Sequence, residues 1–163
     1  MLWGGFSYTL GPLPCHVWPP QTNVDGARYV EDILECIVGP WIDQFPVPAP
    51  DKRPIFMQDG ARAHWGPGAL AWFAARAAQV ELMTRWPAHS PDMNPIEQLW
   101  APLKSIVNVA DMAAGSLREL MYAAWAIVSR REKTGIGGPV WEKHQSNLVK
   151  VVTARGDNRH QTA

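Results

Sequence analysis

Residues 86–104 read WPAHSPDMNPIEQLWAPLK, from Trp86 to Lys104. They describe a strand end, a proline-stiffened turn and the start of a helix. Asn94 suits the capping position, because its short side-chain oxygen can accept from the N–H groups left over in a first helical turn. Pro95 suits the first helical position, where no N–H is needed. Glu97 falls where a capping box places its acid, so its plainest role is to cap. The helix is predicted from Pro95 to about Val109, with a bend at Pro102, whose ring removes one backbone donor. Trp86 and Trp100 are expected to pack it onto a sheet. His89 and Asp92 read as turn residues.

Upstream, Pro54 to Ala61 is a short apolar run ending in Asp59-Gly60. A continuous apolar run suits a strand buried on both faces of a mainly parallel sheet. Asp59 would then stand at the carboxyl end, where open α/β sheets place their ligands. Its plainer role is the turn residue of an Asp-Gly pair. Gly66 to Gln79 reads as a helix packing through Leu70, Phe73, Ala74 and Ala77. Val80 to Met83 reads as a strand.

Nearer the start, Asp25 to Trp41 is an amphipathic helix. Tyr29, Ile33, Ile37 and Trp41 form one stripe with Val30, Leu34 and Val38 beside it, and Gly39-Pro40 should fray or kink its end. Met1 to Tyr8 and Leu13 to Trp18 suit a hairpin, with Gly4-Gly5 marking a bulge or a close backbone approach. Pro46 to Pro54 is an exposed loop, too short for a domain linker. Downstream, Ser116 and Glu119 make a second capping box. The helix that follows has Leu117, Leu120, Met121, Ala124, Trp125 and Val128 on its apolar face, and Arg130 to Lys133 end it with positive charge. Gly135 to Pro139 is a loop, Trp141 to Arg155 a last helix, and residues 157–163 a frayed tail after one domain over 1–156.

Composition narrows the class. At 163 residues the chain can bury about 70% of its unfolded surface in one domain. With 47% hydrophobic and 18% charged residues it is globular rather than disordered. Cys15 and Cys36 lack metal-type spacing and read as buried reduced thiols of an intracellular protein. The opening residues lack a signal peptide's basic start, and no apolar run is long enough to span a bilayer, so a soluble protein is expected. Formal charge is zero. Residues 1–115 carry 7 Lys/Arg against 11 Asp/Glu, and residues 116–163 carry 8 against 4. A neutral total argues against strong autonomous binding to DNA, whose phosphates supply most non-specific affinity.

Two motifs on one chain carry more weight than either alone. Gln58-Asp59-Gly60-Ala61 with His64, and Ser90-Pro91-Asp92-Met93-Asn94-Pro95-Ile96-Glu97 with Trp100 and Lys104, resemble the signatures of the Tc1/mariner-type transposases. The Trp3-Gly4 strand is similar to one in the same catalytic domains. The resemblance implies an RNase H-like α/β fold of the DDE type, whose Asp-Asp-Glu triad binds metal. Asp59 and Glu97 would be its second and third members, catalytic and metal-ligating, with Mg²⁺ or Mn²⁺ as cofactor. Thirty-seven residues separate them, enough for a strand–helix–strand–helix unit to bring both acids to one sheet edge. The implied chemistry is metal-dependent cleavage and joining of DNA at transposon ends and target. His64 and Lys104 are weaker candidates for contacts to nucleic acid; each is also read plainly, as a structural histidine and an exposed lysine.

The family's first aspartate lies on a strand ahead of the Trp-Gly strand. Asp25, Asp32, Asp43 and Asp51 come later, on a helix or loop, so none matches it. The expectation is therefore an incomplete domain lacking the first two strands, a truncated transposase fragment with little or no activity alone. Its partners would be DNA and a second copy or a full-length transposase, with no membrane. Its location would be nuclear in a eukaryote and cytoplasmic otherwise. The rival is a non-catalytic relic that binds nucleic acid or protein. A glycosidase acid/base pair is a more distant one.

Overall fold

A computed structural model describes residues 1–7, 11–44, 53–84, 94–109 and 117–131. Trp86, His89, Asp92, Ser116, most of the 46–54 loop, the loop at 135–139, the predicted helix over 141–155 and the tail at 157–163 lie outside them. The chain divides into two compact units, Met1–Pro19 with Ser90–Ala163, and Pro20–His89.

The first unit opens with a hairpin. β1 (Leu2–Trp3) and β2 (Phe6–Ser7) pair antiparallel with β4 (His16–Val17) and β3 (Gly11–Pro12) respectively. The register joins Trp3 to His16 and Phe6 to Pro12. Gly4 and Gly5 thus stand opposite Leu13, Pro14 and Cys15, one residue more on the returning strand. This is the expected bulge, placed where Pro14 has no donor to give a ladder. Pairing begins at Gly11, earlier than Leu13, because Gly11 takes a φ of 77° that turns the chain without steric cost.

The second unit begins with α1 (Gly26–Tyr29), capped by Asp25, whose side chain accepts from the Arg28 N–H at 2.9 Å. It continues through a π-helical stretch (Val30–Val38) into α2 (Gly39–Ile42). Gly39 and Pro40 do not end the helix. Pro40 offers no donor, and the Gly39 N–H reaches back five residues to the Leu34 carbonyl. The wider turn moves the stripe: Tyr29, Ile33, Leu34, Val38 and Ile42 are buried, while Ile37 and Trp41 are only half-buried. Cys36 falls outside that stripe and is exposed, and Cys15 is half-buried, so neither is the buried thiol expected.

β5 (Ile55–Phe56) runs parallel to β6 (Glu81–Leu82), with the Glu81 and Met83 N–H groups donating to the Pro54 and Phe56 carbonyls at 2.9 Å each. The parallel pairing matches the expectation, but burial on both faces does not. Ile55 is 59% exposed, because β6 is the sole strand paired with β5 among the described residues and the Ile55 face is uncovered. Between the strands come a 3₁₀ turn (Arg62–Trp65) and α3 (Pro67–Ala75). α3 packs through Ala69, Trp72 and Phe73, leaving Leu70 41% exposed. A helix apolar on every side gives no preferred stripe, and the aromatic pair, with the larger area to hide, takes the inside. Phe73 meets Phe56 at a ring separation of 5.0 Å.

The chain re-enters the first unit at α4 (Glu97–Val109), with Pro102 inside it, and α5 (Leu117–Arg131). Leu99 and Leu103 of α4 bury against Ala124, Trp125 and Val128 of α5, with Leu2, Phe6 and Trp100 at the margin of the cluster. The apolar face predicted for α5 is the buried one from Ala124 onward, whereas Leu117 at its start is exposed. No helix of the described residues is long and apolar enough to cross a membrane.

Candidate active site

Asp59 follows β5 by three residues and opens the turn that leads to the 3₁₀ segment. Its Oδ1 accepts from the Ala61 N–H at 3.0 Å, the bond a turn aspartate makes. The turn role and a ligand role are compatible, since one oxygen serves the turn. His64 Nδ1 lies 2.7 Å from the same Oδ1. That nitrogen is buried and has no better-aligned partner. The approach is short but off the N–H axis, so it is first an electrostatic contact. The Asp59 carbonyl accepts from the Trp65 indole N–H at 2.7 Å. The contact with His64 and the Ala61 N–H hold the Asp59 carboxyl below the usual range, against a smaller opposing effect of partial burial. Its side chain is 61% exposed, and no described residue hydrogen-bonds Oδ2.

Behind Asp59 the fold joins Gln58 and His64 of the motif to Tyr29 of the helix stripe, a link the sequence did not single out. Gln58, buried, accepts from the Tyr29 hydroxyl at 3.0 Å and donates through Nε2 to the His64 carbonyl at 2.9 Å. The His64 ring lies against the Tyr29 ring at 4.3 Å between centroids. Burial, and then the Asp59 charge, push the Tyr29 hydroxyl well above its ordinary pKa, so it stays protonated and donates. The available signal was a glutamine at the end of an apolar strand, a polar group that must find partners when buried.

Glu97 opens α4. Asn94 shapes the start of the helix as predicted: its Oδ1 accepts from the Ile96 N–H at 3.3 Å and its carbonyl from the Glu97 N–H at 3.1 Å. Glu97 does not close the reciprocal bond of a capping box. It is exposed, and its carboxylate is uncommitted among the described residues. Lys104, also exposed, follows seven residues later, near two full turns on, and so stands on the same side of α4. Asp59 with His64 belongs to the second compact unit, and Glu97 with Lys104 to the first. Among the described residues no three His, Cys, Asp or Glu side chains gather as a ligand set.

Both acids stand inside the stretch, residues 15–120, that matches the sequence pattern of the DDE superfamily endonucleases. The chain belongs to that family. Within it the likeness is to Tc1/mariner-type transposases: 35% identity over 128 residues to the Tcb1 transposase of Caenorhabditis briggsae, covering 77% of this chain and 42% of that protein. The Tc1 transposase of Caenorhabditis elegans is 36% identical over 105 residues, 64% of this chain and 34% of its own length. The chain thus spans about two fifths or less of these relatives. Membership implies an RNase H-like α/β domain, consistent with the parallel β5–β6 pair and its flanking helices. The family match begins at Cys15, so β1 and the Trp3-Gly4 pair lie ahead of it.

Proposed function

We propose that Asp59 and Glu97 are the second and third acids of a DDE transposase site, and that they share a divalent cation, Mg²⁺ or Mn²⁺. The observation that carries this is the state of Asp59: an ionised, mostly exposed carboxylate at the end of a parallel strand, one oxygen held and the other open. Such an oxygen suits a hard cation. Glu97, exposed and uncommitted at the start of its helix, suits the same role. When bound, a divalent ion there supplies Lewis-acid stabilisation for in-line displacement at phosphorus. The chain's own part is to hold the ion through Asp59 Oδ2 and Glu97, and to steady a DNA phosphate with Lys104. The substrate is DNA, at transposon ends and target.

These 163 residues supply two of the three acids. On this reading the family's first aspartate comes from outside these residues, and a further stretch of polypeptide completes the site. A second copy or a longer transposase chain is the natural protein partner, and the nucleus the place of action in a eukaryotic cell.

The test is Mn²⁺ binding, followed through the loss of the free ion's paramagnetic resonance signal. The wild type should bind, and Asp59→Ala and Glu97→Ala should each weaken binding by about tenfold or more. Dependence on one acid alone would overturn the shared site.

A further inference from the structure

We propose that His64 is a positioning residue for Asp59, locked in place by Gln58 and Tyr29, and that it acts on the cation only through that carboxylate. The proposal rests on the reading of Asp59 as a metal ligand.

His64 is held at two points. Its carbonyl accepts from Gln58 Nε2 at 2.9 Å, and its ring is set against Tyr29 at 4.3 Å. Gln58 is held in turn by the Tyr29 hydroxyl at 3.0 Å. Tyr29 sits in the buried stripe of the long helix, 1% exposed. The chain of contacts therefore runs from a core helix to the carboxylate without a loose member. A buried amide that uses both its ends is expensive to break and fixes one geometry.

The ring ends 2.7 Å from Asp59 Oδ1. The approach is off the ring N–H axis, so His64 steadies that oxygen by close electrostatic and packing contact rather than by an aligned hydrogen bond. With the Ala61 N–H on the same oxygen and the Trp65 indole on the Asp59 carbonyl, both the backbone and one carboxylate oxygen are fixed. Oδ2 alone is left for a ligand among the described residues. A ligand already ordered does not lose rotamer freedom on binding, and groups that orient a metal ligand typically change metal affinity by about 10–100-fold. The His64 side chain is 16% exposed, which leaves little of it to meet nucleic acid. On this proposal His64 orients Asp59 rather than touching nucleic acid.

The experiment is a Mn²⁺ titration of the 163-residue chain by the same resonance signal, with thermal unfolding measured on each variant. His64→Ala should weaken Mn²⁺ binding about tenfold. His64→Asn, whose amide nitrogen can stand where Nδ1 stood, should restore most of it. Tyr29→Phe keeps the ring contact but frees Gln58, and should give a smaller loss in the same direction. Wild-type affinity in His64→Ala, with binding abolished in Asp59→Ala, would overturn the positioning role and leave the ligand reading intact. A His64→Asn chain that melts like the wild type but binds no better than His64→Ala would do the same. If the wild type and Asp59→Ala behave alike toward Mn²⁺, Asp59 is no ligand and both readings fall together.

Discussion

The Asp59 carboxylate meets the His64 ring at 2.7 Å and the Ala61 N–H at 3.0 Å, and both favour its charged form. A pKa lowered by folding means that the native state binds a proton less readily than the unfolded chain. The resulting stability is therefore present above the unfolded value, about 4, and is lost as pH falls through the still lower folded value. Because the group is mostly exposed, water screens the interaction and the effect stays under about 1 kcal/mol. In a chelating buffer, Asp59→Asn should lower the unfolding midpoint slightly at neutral pH. The difference from wild type should shrink toward zero below about pH 4. A difference that grows on acidification would show the sign to be wrong.

Between helices and hairpin, contact is set by aromatic size. A Cβ placed on Gly4 would stand 2.5 Å from Trp125 Cη2 and 2.8 Å from Cζ3, well inside van der Waals contact. The Trp125 indole is fixed from its other side, because its N–H donates to the Leu13 carbonyl at 2.9 Å, so it cannot retreat cheaply. Gly4→Ala should therefore destabilise by about 1–3 kcal/mol, the usual cost of overpacking. In a Trp125→Phe background the distal ring is gone, and the same Gly4→Ala change should cost much less. Urea unfolding of the four chains gives the coupling directly. Additive costs would show that the clash is not with Trp125.

Elements of this kind differ in how far they are written in the sequence. Asn94 announced its helix start, because a capping bond is local. The Gly4-Gly5 pair announced the bulge, though not the ring that demands it. The loss of Ile37 and Trp41 from the buried stripe and the gain of Ile42 were not legible, since an α-helical period was assumed and the turn ahead of Pro40 is wider. The exposure of Ile55 and Leu70 depends on what covers each face, which no periodicity records. In the same way the motif exposed Asp59 and His64, while Tyr29, twenty-nine residues before Gln58, could be joined to them only by the fold.

At the scale of the whole molecule, charge and ligand count bear on one outcome. The formal charge is zero, with the basic excess gathered after residue 115, so phosphate neutralisation gives the chain little general hold on DNA. Encounter with duplex should therefore need low salt, where screening is weakest; about 10 mM extends the Debye length to about 30 Å. If Asp59 and Glu97 are the ligands these residues supply, two acids hold a cation less completely than three, and in-line displacement needs both the attacking and the leaving oxygen stabilised. Supercoiled plasmid incubated with the 163-residue chain in Mg²⁺ or Mn²⁺ at low salt should stay supercoiled, with Asp59→Ala and Glu97→Ala indistinguishable from wild type. Robust nicking that disappears in both variants would show the two acids to suffice, or a third to stand within these residues. Retarded migration of the plasmid that ignores metal and survives both substitutions would favour a binding role without catalysis. Nicking gained on adding a longer transposase chain, and lost again when Asp59 of the 163-residue chain is replaced, would show that a second polypeptide supplies the first acid.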